Sequence, residues 1–336
     1  MTLFLRDLGE LALLEKIRER ASSGKRRGLV LGVGDDAAVF RAGRGENLLL
    51  ATADMMLEGV HFDLSYTTPY QLGFKLVSVN CSDIYAMGAR PAFALFELGA
   101  PGGTPSRFID RLFDGLFDAL AHYGAVLAGG DVSASKNGLA LDMTVIGEAG
   151  KKFVGRKGAK KGDGVYVTGP LGDSACGLLL LRKIGRPVEI EKDKKAIKTP
   201  FKWDIIAPLL RRHLMPEARK NPPENATAMI DVSDGLLIDL SRLCKESAIG
   251  VKIYEQRIPV SSGMRETARL MGVDPMRLAL EGGEDYELLY TAPMGRGRGI
   301  LIGEVTEKNS GRRIVTSGGS VREFKTAGYQ HFVGQD

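Results

Sequence analysis

Five places along this 336-residue chain share one design, in which acidic residues stand close to Gly, Ser, Ala or Thr. They contain Asp35 and Asp36 in GVGDDAA, Asp54 in LATADMM, Asp83 in VNCSDIYAMGA, Asp131 in LAGGD, and Asp231 and Asp234 in MIDVSDG. Several short carboxylates brought together repel one another strongly unless cations neutralise them. Magnesium suits this role because it completes a small carboxylate set with waters and phosphate oxygens. The set therefore predicts a site with several Mg2+ ions that binds a nucleotide polyphosphate.

Each aspartate taken alone has a simpler explanation. Asp234 precedes GLLIDL and is equally well explained as a helix cap, and Asp131 after Gly-Gly is compatible with a plain turn. Capping does not apply to Asp83, which lies inside a predicted helix, or to Asp54, which precedes no helix. The whole set, more than any one member, therefore indicates a metal site.

The usual nucleotide-binding motifs are missing from the sequence. It has no G-x-x-x-x-G-K-[ST] loop, no G-x-G-x-x-G after a first strand, and neither H-R-D nor D-F-G. A kinase with this sequence must therefore hold phosphates through metal ions and glycine backbone. The four histidines and three cysteines suggest no Ser-His-Asp or Cys-His arrangement, which argues against covalent hydrolysis.

The elements that must position these side chains alternate between strands and helices in both halves of the chain. Apolar runs predict strands at 28–40, 47–56 and 91–99, and three- to four-residue spacing predicts helices at 69–89 and 106–124. A Lys- and Gly-rich stretch at 150–163 marks a change of composition, so we predict two domains, 1–149 and 150–336. The charged segment 186–202 is predicted to be an exposed insertion. The pattern indicates an α/β (α+β) fold with helix-covered sheets.

Composition and charge exclude several other classes of protein. The N-terminal segment mixes charge into its apolar positions and predicts an amphipathic helix, not a signal peptide. No segment approaches the roughly 20 apolar residues that a membrane span needs. Cys81, Cys176 and Cys244 are far apart, which fits a reducing compartment, and we expect a cytoplasmic protein. The net charge of +5 is dispersed and not interleaved with aromatic residues, so we expect no nucleic-acid partner.

Taken in order, the motifs resemble those of the thiamine-monophosphate kinases, in the superfamily of aminoimidazole ribonucleotide synthetase and selenophosphate synthetase. The matching segments are VGDDAA (33–38), TADMMLEGVHF (52–62), K-x4-NCSDIYAMGARP (75–91), GGD (129–131), GRKGAKKGDGVYVTGPLGDSACGL (155–178), IDVSDGLLIDL (230–240) and GGEDYELLY (282–290). The resemblance runs over nearly the whole chain, and IDVSDGL together with GGEDYEL is specific to this family within the superfamily.

The resemblance implies transfer of the ATP γ-phosphoryl group to thiamine monophosphate, and we expect this transfer to be direct and in line, without a phosphoenzyme. It also implies a homodimer whose N-terminal sheets pair as a β-barrel, a C-terminal α/β domain with helices on a mixed sheet, and ATP between the domains. The implied magnesium ligands are Asp36, Thr52, Asp54, Asp83, Asp131, Asp231 and Asp234, with Asp35 the less favoured neighbour of Asp36. The implied nucleotide contacts are Gly130, Asp131, Arg156 and Ser233, and the implied contacts to the thiamine substrate are His61, Glu284 and Tyr329.

Three departures from the family pattern concern the site. Ala53 stands where the family usually has a hydroxyl side chain, which removes a potential metal ligand. The family's Pro-x-Pro-Arg is blurred into the segment from Pro216 to Arg219, and a helix common in the family is predicted to be trimmed between Pro293 and Ile300. Two other functions remain open at this point: an enzyme of the same superfamily with a different acceptor, and a nucleotide- or nucleic-acid-binding protein without catalysis.

Overall fold

A computed structural model describes residues 4–21, 27–41, 47–190, 192 and 200–332 of the protein. Its strands form two sheets, one from each half of the chain. The first sheet contains β1 (Leu29–Leu31), β2 (Ala38–Arg41), β3 (Leu48–Leu57), β4 (Arg90–Ala100), β5 (Val126–Ala134) and β6 (Ala140–Ala149). The second contains β7 (Asp163–Val167), β8 (Ala228–Asp231), β9 (Gly250–Tyr254), β10 (Leu288–Pro293), β11 (Ile300–Thr306), β12 (Arg312–Val315) and β13 (Val321–Glu323).

The first sheet has the order β1-β2-β3-β6-β4-β5, with only β4 and β5 parallel among its pairs in the described residues. The prediction of one strand over 28–40 was wrong, because β1 and β2 form an antiparallel hairpin. The loop between them, 32–37, carries Asp35 and Asp36, and its Gly34 has a φ of +125°, which only glycine adopts readily. The two carboxylates therefore stand at a loop tip and not at a strand end.

Two helices cover the buried face of this sheet, as their spacing predicted. They are α3 (Pro69–Ala86) and α4 (Ser106–Tyr123), and α4 ends at the left-handed Gly124. They cross so closely that a Cβ on Gly73 would lie 2.1 Å from the Leu112 carbonyl oxygen. A Cβ on Gly115 would likewise lie 1.9 Å from the carbonyl oxygen of Tyr70. Helix α3 is therefore held tightly against α4, and nearly all of its side chains are buried.

The second sheet has the order β13-β12-β9-β11-β7-β10-β8, and it is mixed because β9 and β12 are parallel while the other pairs are antiparallel. Apolar side chains from its strands and helices form one large core. The helices are α5 (Asp173–Ile184), α6 (Trp203–Leu214), α7 (Leu236–Ser247), α8 (Ser262–Leu270) and α9 (Pro275–Glu281). The prediction of a two-domain α/β chain with helices on mixed sheets is confirmed.

The predicted N-terminal helix forms as two pieces, α1 (Leu5–Leu8) and α2 (Glu10–Ala21), separated by Gly9. None of the α2 side chains is buried, and ion pairs such as Arg18 with Glu246 attach the helix to α7. A turn without a helix connects Pro293 to Ile300, as predicted. Of the predicted insertion at 186–202, residues 191 and 193–199 lie outside the described residues. Within the described part of the chain, no helix is both long and apolar enough to cross a bilayer.

Candidate active site

Three of the predicted aspartates meet where the two halves of the chain come together. One carboxylate oxygen from each of Asp36, Asp83 and Asp231 lies within 4.8 Å of the other two. Asp36 comes from the loop after β1, Asp83 from the last turns of α3, and Asp231 from the end of β8. All three side chains are largely withdrawn from solvent. Parts of the chain as far apart as the first and last thirds therefore build one acidic cluster.

Hydroxyl groups hold two of these carboxylates in place. Thr52 Oγ1 on β3 donates a hydrogen bond to Asp83 Oδ2 at 2.6 Å, and Ser82 Oγ on α3 donates to Asp231 Oδ2 at 2.6 Å. Both hydroxyls are buried. Ala53 is exposed on the next position of β3, facing away from Thr52. The hydroxyl group that orients Asp83 is therefore present, on Thr52. A hydroxyl side chain at position 53 would lie on the opposite face of β3, away from the cluster.

Burial and the repulsion of neighbouring carboxylates raise the pKa values of Asp83, Asp231 and the nearby Asp54. Burial raises the pKa of Asp83 well above its usual value, and the charges of Asp54, Asp231 and Asp36 raise it further. Burial and Asp36 raise the pKa of Asp231 in the same way. The pKa of Asp54 is raised to about 6 by burial and by the charges of Asp234, Asp142 and Asp36. The ionised cluster is thus costly without a counter-charge.

Only one described cation pairs directly with this cluster. Arg156 Nη2 donates to Asp36 Oδ1 at 2.5 Å, while Asp36 Oδ2 is buried with no hydrogen-bond partner among the described residues. An orphaned buried carboxylate oxygen beside two further carboxylates is a donor set that suits a hard divalent cation. The residues present therefore fit magnesium.

Asp234 lies beside the cluster and does not cap α7. Its Oδ2 accepts a hydrogen bond from Arg242 Nη1 at 2.6 Å, and the same nitrogen donates to Asp239 Oδ1 at 2.8 Å. Asp239 Oδ2 in turn accepts from the backbone N–H groups of Asp234 and Gly235, both at 3.1 Å. Asp239 therefore shapes the turn, and the nearby charge of Asp234 raises the pKa of Asp54.

Asp131 is the one predicted magnesium ligand that the structure places apart from the cluster. It lies within β5, so the alternative of a plain turn is wrong, and it is exposed at the sheet edge. Its register neighbours are Glu97 on β4 and, beyond it, Asp142 on β6, and the three carboxylates line a cavity of about 200 Å³. Because Asp142 pairs with Met55, this group occupies the opposite face of the sheet from Asp54.

Among the predicted nucleotide contacts, Arg156 has a buried nitrogen without a hydrogen-bond partner in the described residues, and Gly130 packs closely against the backbone of a neighbouring strand. Arg156 Nε is buried without a hydrogen-bond partner among the described residues, and Asp35 Oδ1 lies 3.9 Å from it. Gly130 has a φ of +155°, and a Cβ there would lie 1.8 Å from the carbonyl oxygen of Phe96. Ser233 is half-buried at the turn that carries Asp234. Asp35 accepts the Arg156 N–H and thereby positions this arginine.

The predicted substrate contacts gather at one end of the site. The backbone N–H of Leu57 donates to His61 Nδ1 at 3.0 Å, so the neutral ring carries its proton on Nε2, free to donate. Burial and the neighbouring His331 lower the pKa of His61, and Glu284 opposes them. The His331 ring lies 5.1 Å from that of His61 and 5.0 Å from that of Tyr329. The C-terminal segment thus closes over His61.

Sequence reasoning missed several residues of this region. His331 stands two positions after Tyr329 and was open to the same aromatic argument. Arg219 Nε donates to the fully buried Glu287 at 2.6 Å, and Thr168 Oγ1 donates to the same carboxylate at 2.6 Å. Arg212 and Arg219 also pair with its other oxygen. The segment from Pro216 to Arg219, which departs from the family's Pro-x-Pro-Arg, therefore still ends in an arginine that pairs with a buried carboxylate.

Removing divalent cations should make the stability of this protein depend on pH through Asp54. Its pKa is about 6 in the folded state and near 3.8 when unfolded, so the folded state binds more protons across this interval. The free energy of unfolding therefore falls as pH rises from about 4 to about 7. Asp54→Asn should be stabilising by up to about 3 kcal/mol at pH 8 and by less at pH 5.

Thermal unfolding in a chelator at pH 5 and pH 8 measures this difference. Asp110→Asn, an exposed aspartate on α4, is the matched control and should behave like wild type at both values. An equal effect of Asp54→Asn at the two pH values would contradict the assignment of a buried, repelled carboxylate.

Comparison with known protein families matches the two halves of the chain to the two domains of one kind of protein. Residues 34–149 match the N-terminal domain of the AIR synthase related proteins, and residues 160–316 match the C-terminal domain. This two-domain architecture with a carboxylate cluster between the halves therefore defines a protein of the AIR synthase related class.

Curated relatives narrow the class further. The thiamine-monophosphate kinase of Aquifex aeolicus is 34% identical over 98% of this chain and 99% of its own length. The one from Escherichia coli K12 is 33% identical over 96% and 98%, respectively. A solved structure described as AaThiL complexed with AMPPCP and TMP is 32% identical, with a TM-score of 0.84 over 98% of this chain and 99% of that chain. The chain belongs to the thiamine-monophosphate kinase family.

Proposed function

We propose that this protein transfers the γ-phosphoryl group of ATP to thiamine monophosphate, forming thiamine diphosphate and ADP. Family membership supports this reaction, and so does the similar structure that was solved with an ATP analogue and TMP. The single structural observation that carries the proposal is the buried cluster of Asp36, Asp83 and Asp231 with its orphaned oxygen. A protein that only binds nucleotide has no need of several buried carboxylates that repel one another.

Residues on two sides of the cluster fit the two substrates. Arg156, with a fixed fork of donors and an unused Nε, suits a phosphate of ATP, and Gly130 and Ser233 are proposed as further nucleotide contacts. His61 offers an Nε2–H donor, and Tyr329 offers an aromatic face for a thiamine ring. The acceptor phosphate oxygen is already ionised at neutral pH, so the carboxylates need not act as general bases.

Magnesium is the cofactor that these residues would hold. Asp36, Asp83 and Asp231 would be its central ligands, with Thr52, Asp54 and Asp234 beside them. Asp131 lies on the opposite face of the sheet, so the Asp131 of this chain does not reach the same ion. When bound, it would supply the positive charge that two anionic phosphates need in order to approach each other. The protein's own contribution is to fix the carboxylates in a water-poor site before the substrates arrive.

A coupled ADP-release assay tests the function directly. Wild-type protein with ATP, Mg2+ and thiamine monophosphate should release ADP, and removal of either Mg2+ or the acceptor should stop it. A panel of other phosphorylated acceptors is the control for a different enzyme of the same superfamily. ADP release with one of these acceptors and none with thiamine monophosphate would contradict the proposal.

We also propose a homodimer in which the first sheets of two copies pair. Strand β5 is an edge strand whose side chains are almost all exposed, including Val126 (57%) and Val132 (72%). A long edge strand with exposed apolar residues is a liability unless another chain covers it. Continuation of the sheet across this edge would produce the predicted β-barrel and would bring a second chain close to Asp131.

Val126→Lys should therefore convert the dimer to a monomer, because a charge on the paired edge opposes strand association. Analytical ultracentrifugation at micromolar concentration measures the change. Leu270→Lys, at a leucine on α8 that is also exposed (67%), should leave the dimer intact. A dimeric Val126→Lys variant would place the interface elsewhere.

Two further assignments complete the proposal. The division into domains 1–149 and 150–336 is supported by the two separate sheets and by the segments that match the two family models. A cytoplasmic location is supported by the cysteines Cys81, Cys176 and Cys244, which are buried free thiols.

A further inference from the structure

Glu284 at the thiamine end of the site is held by contacts that the proposed reaction does not by itself explain. Its backbone has a φ of +63°, an uncommon conformation for a residue with a side chain. The Glu284 N–H donates to the Ser233 carbonyl oxygen at 2.7 Å, and the Tyr286 N–H donates to that of Val232 at 2.9 Å. The turn is thus bound to the end of β8, and it aims one carboxylate at a fixed place.

The two oxygens of this carboxylate have separate partners from two different helices. Lys75 Nζ on α3 lies 2.7 Å from Glu284 Oε1, and His213 Nδ1 on α6 lies 3.1 Å from Glu284 Oε2. Lys75 and His213 are only 3% and 4% exposed, whereas the Glu284 side chain is 29% exposed. The two partners are therefore shut away from ligands, and only the carboxylate faces the open site.

The surroundings of His213 fix its direction and its protonation state. Ser174 Oγ lies 3.1 Å from the same Nδ1, and the Ser174 N–H donates to Asp285 Oδ1 at 3.1 Å. Burial and the Lys75 charge lower the pKa of His213, although Glu284 opposes them, so the neutral ring donates its Nδ1–H to the carboxylate. Burial acts to raise the pKa of Glu284, but Lys75 and His213 outweigh it and hold that pKa well below its usual range.

We propose that Lys75 and His213 are positioning residues, which lock Glu284 as an ionised, acceptor-only group at the place where the thiamine moiety binds. This inference rests on the proposed function, because it assigns the use of Glu284 to that acceptor. Thiamine monophosphate offers a fixed positive charge on its thiazolium ring and donor hydrogens on its amino group. A carboxylate that cannot rotate or take up a proton can bind the positive charge or accept a hydrogen bond from the amino group. It therefore discriminates against acceptors that have neither a positive ring nor such an amino group.

A double-mutant cycle between Lys75 and Glu284 tests the inference. Lys75→Met should raise the KM for thiamine monophosphate roughly ten- to hundredfold, with little change in the KM for ATP. Glu284→Gln should have a similar effect. In the Glu284→Gln background, Lys75→Met should add almost nothing, because residues that act through one another are not additive. Independent, multiplicative effects on KM would overturn the proposal.

A second pair of variants keeps the test valid if Lys75→Met fails to fold. Asparagine places an N–H close to the position of histidine Nδ1, so His213→Asn should keep a KM for thiamine monophosphate near that of wild type, whereas His213→Leu should raise it. Equal values for the two variants would contradict the role of His213. Lys245→Met is the control, since Lys245 forms an ion pair with Glu15 on the exposed side of α7 and should leave both KM values unchanged.

Failure of the proposed function is distinguishable from failure of this inference. If the proposed function fails, wild-type protein itself releases no ADP with thiamine monophosphate. Crystal structures of wild type and Lys75→Met then still test whether Lys75 positions Glu284. A displaced Glu284 carboxylate in the variant supports the positioning role, and an unmoved carboxylate contradicts it.

Discussion

Asp231→Asn should lower kcat by at least ~10²–10³-fold, the scale on which single preorganised charge-stabilising groups contribute, while the protein remains folded. The change removes one of three carboxylates whose oxygens lie within 4.8 Å of one another. Asparagine still accepts the hydrogen bond from Ser82 Oγ, so the geometry of the β8 end is kept. Loss of one repelling charge should also raise the melting temperature of the metal-free protein.

Two measurements on the same variant separate a metal ligand from a merely structural residue. Thermal unfolding with and without Mg2+ should show a smaller stabilisation by Mg2+ for Asp231→Asn than for wild type, since a ligand that binds the folded state more weakly stabilises it less. Asp110→Asn, on the exposed side of α4, should match wild type in both activity and Mg2+ response. Wild-type turnover in Asp231→Asn would remove Asp231 from the site.

Glu287→Ala should destabilise the protein by about 3–5 kcal/mol, the usual loss when one partner of a buried ion pair is removed. The carboxylate is fully buried and accepts from Arg212, Arg219 and Thr168. Its removal leaves Arg212, which is largely buried, without its anion. Urea unfolding monitored by circular dichroism should show a lower midpoint.

Glu266→Ala is the matched control for this prediction, because Glu266 is an exposed glutamate on α8. Its unfolding midpoint should stay close to that of wild type. An equally small effect of Glu287→Ala would mean that the arginines find other partners. It would also mean that the segment from Pro216 to Arg219 is not fastened to the second sheet through this carboxylate.

The parts of the site that sequence reasoning predicted are those whose position follows from one local element. Helix α3 could be predicted from its spacing, and with it the placement of Asp83 on a helix and not at a cap. The strand alternation of β3 could have separated Thr52 from Ala53 in the same way, although both positions were assigned to the metal site from the sequence. In each case a short run of residues determines both the element and the direction of the side chain.

The remaining features depend on partners that lie far away in sequence. The hairpin around Asp35 and Asp36 was read as one strand, because an apolar run does not reveal a reversal that depends on Gly34 and on pairing with β3. Asp131 was grouped with the other aspartates, but strand register places it with Glu97 on another face. Glu287 meets Arg219 across 68 positions, and no local pattern signals such a pair.

Helix α3 joins the two ends of the site along one rigid axis. Asp83 stands at the carboxylate cluster and Lys75 beneath Glu284, and eight residues of α-helix separate them by about 12 Å. The tight crossing at Gly73 and Gly115 prevents the helix from sliding or turning to compensate for a change. The distance between the place of phosphoryl transfer and the place of ring recognition is therefore set by a count of residues. As a consequence, the protein can select acceptors by the distance between their phosphate and their ring.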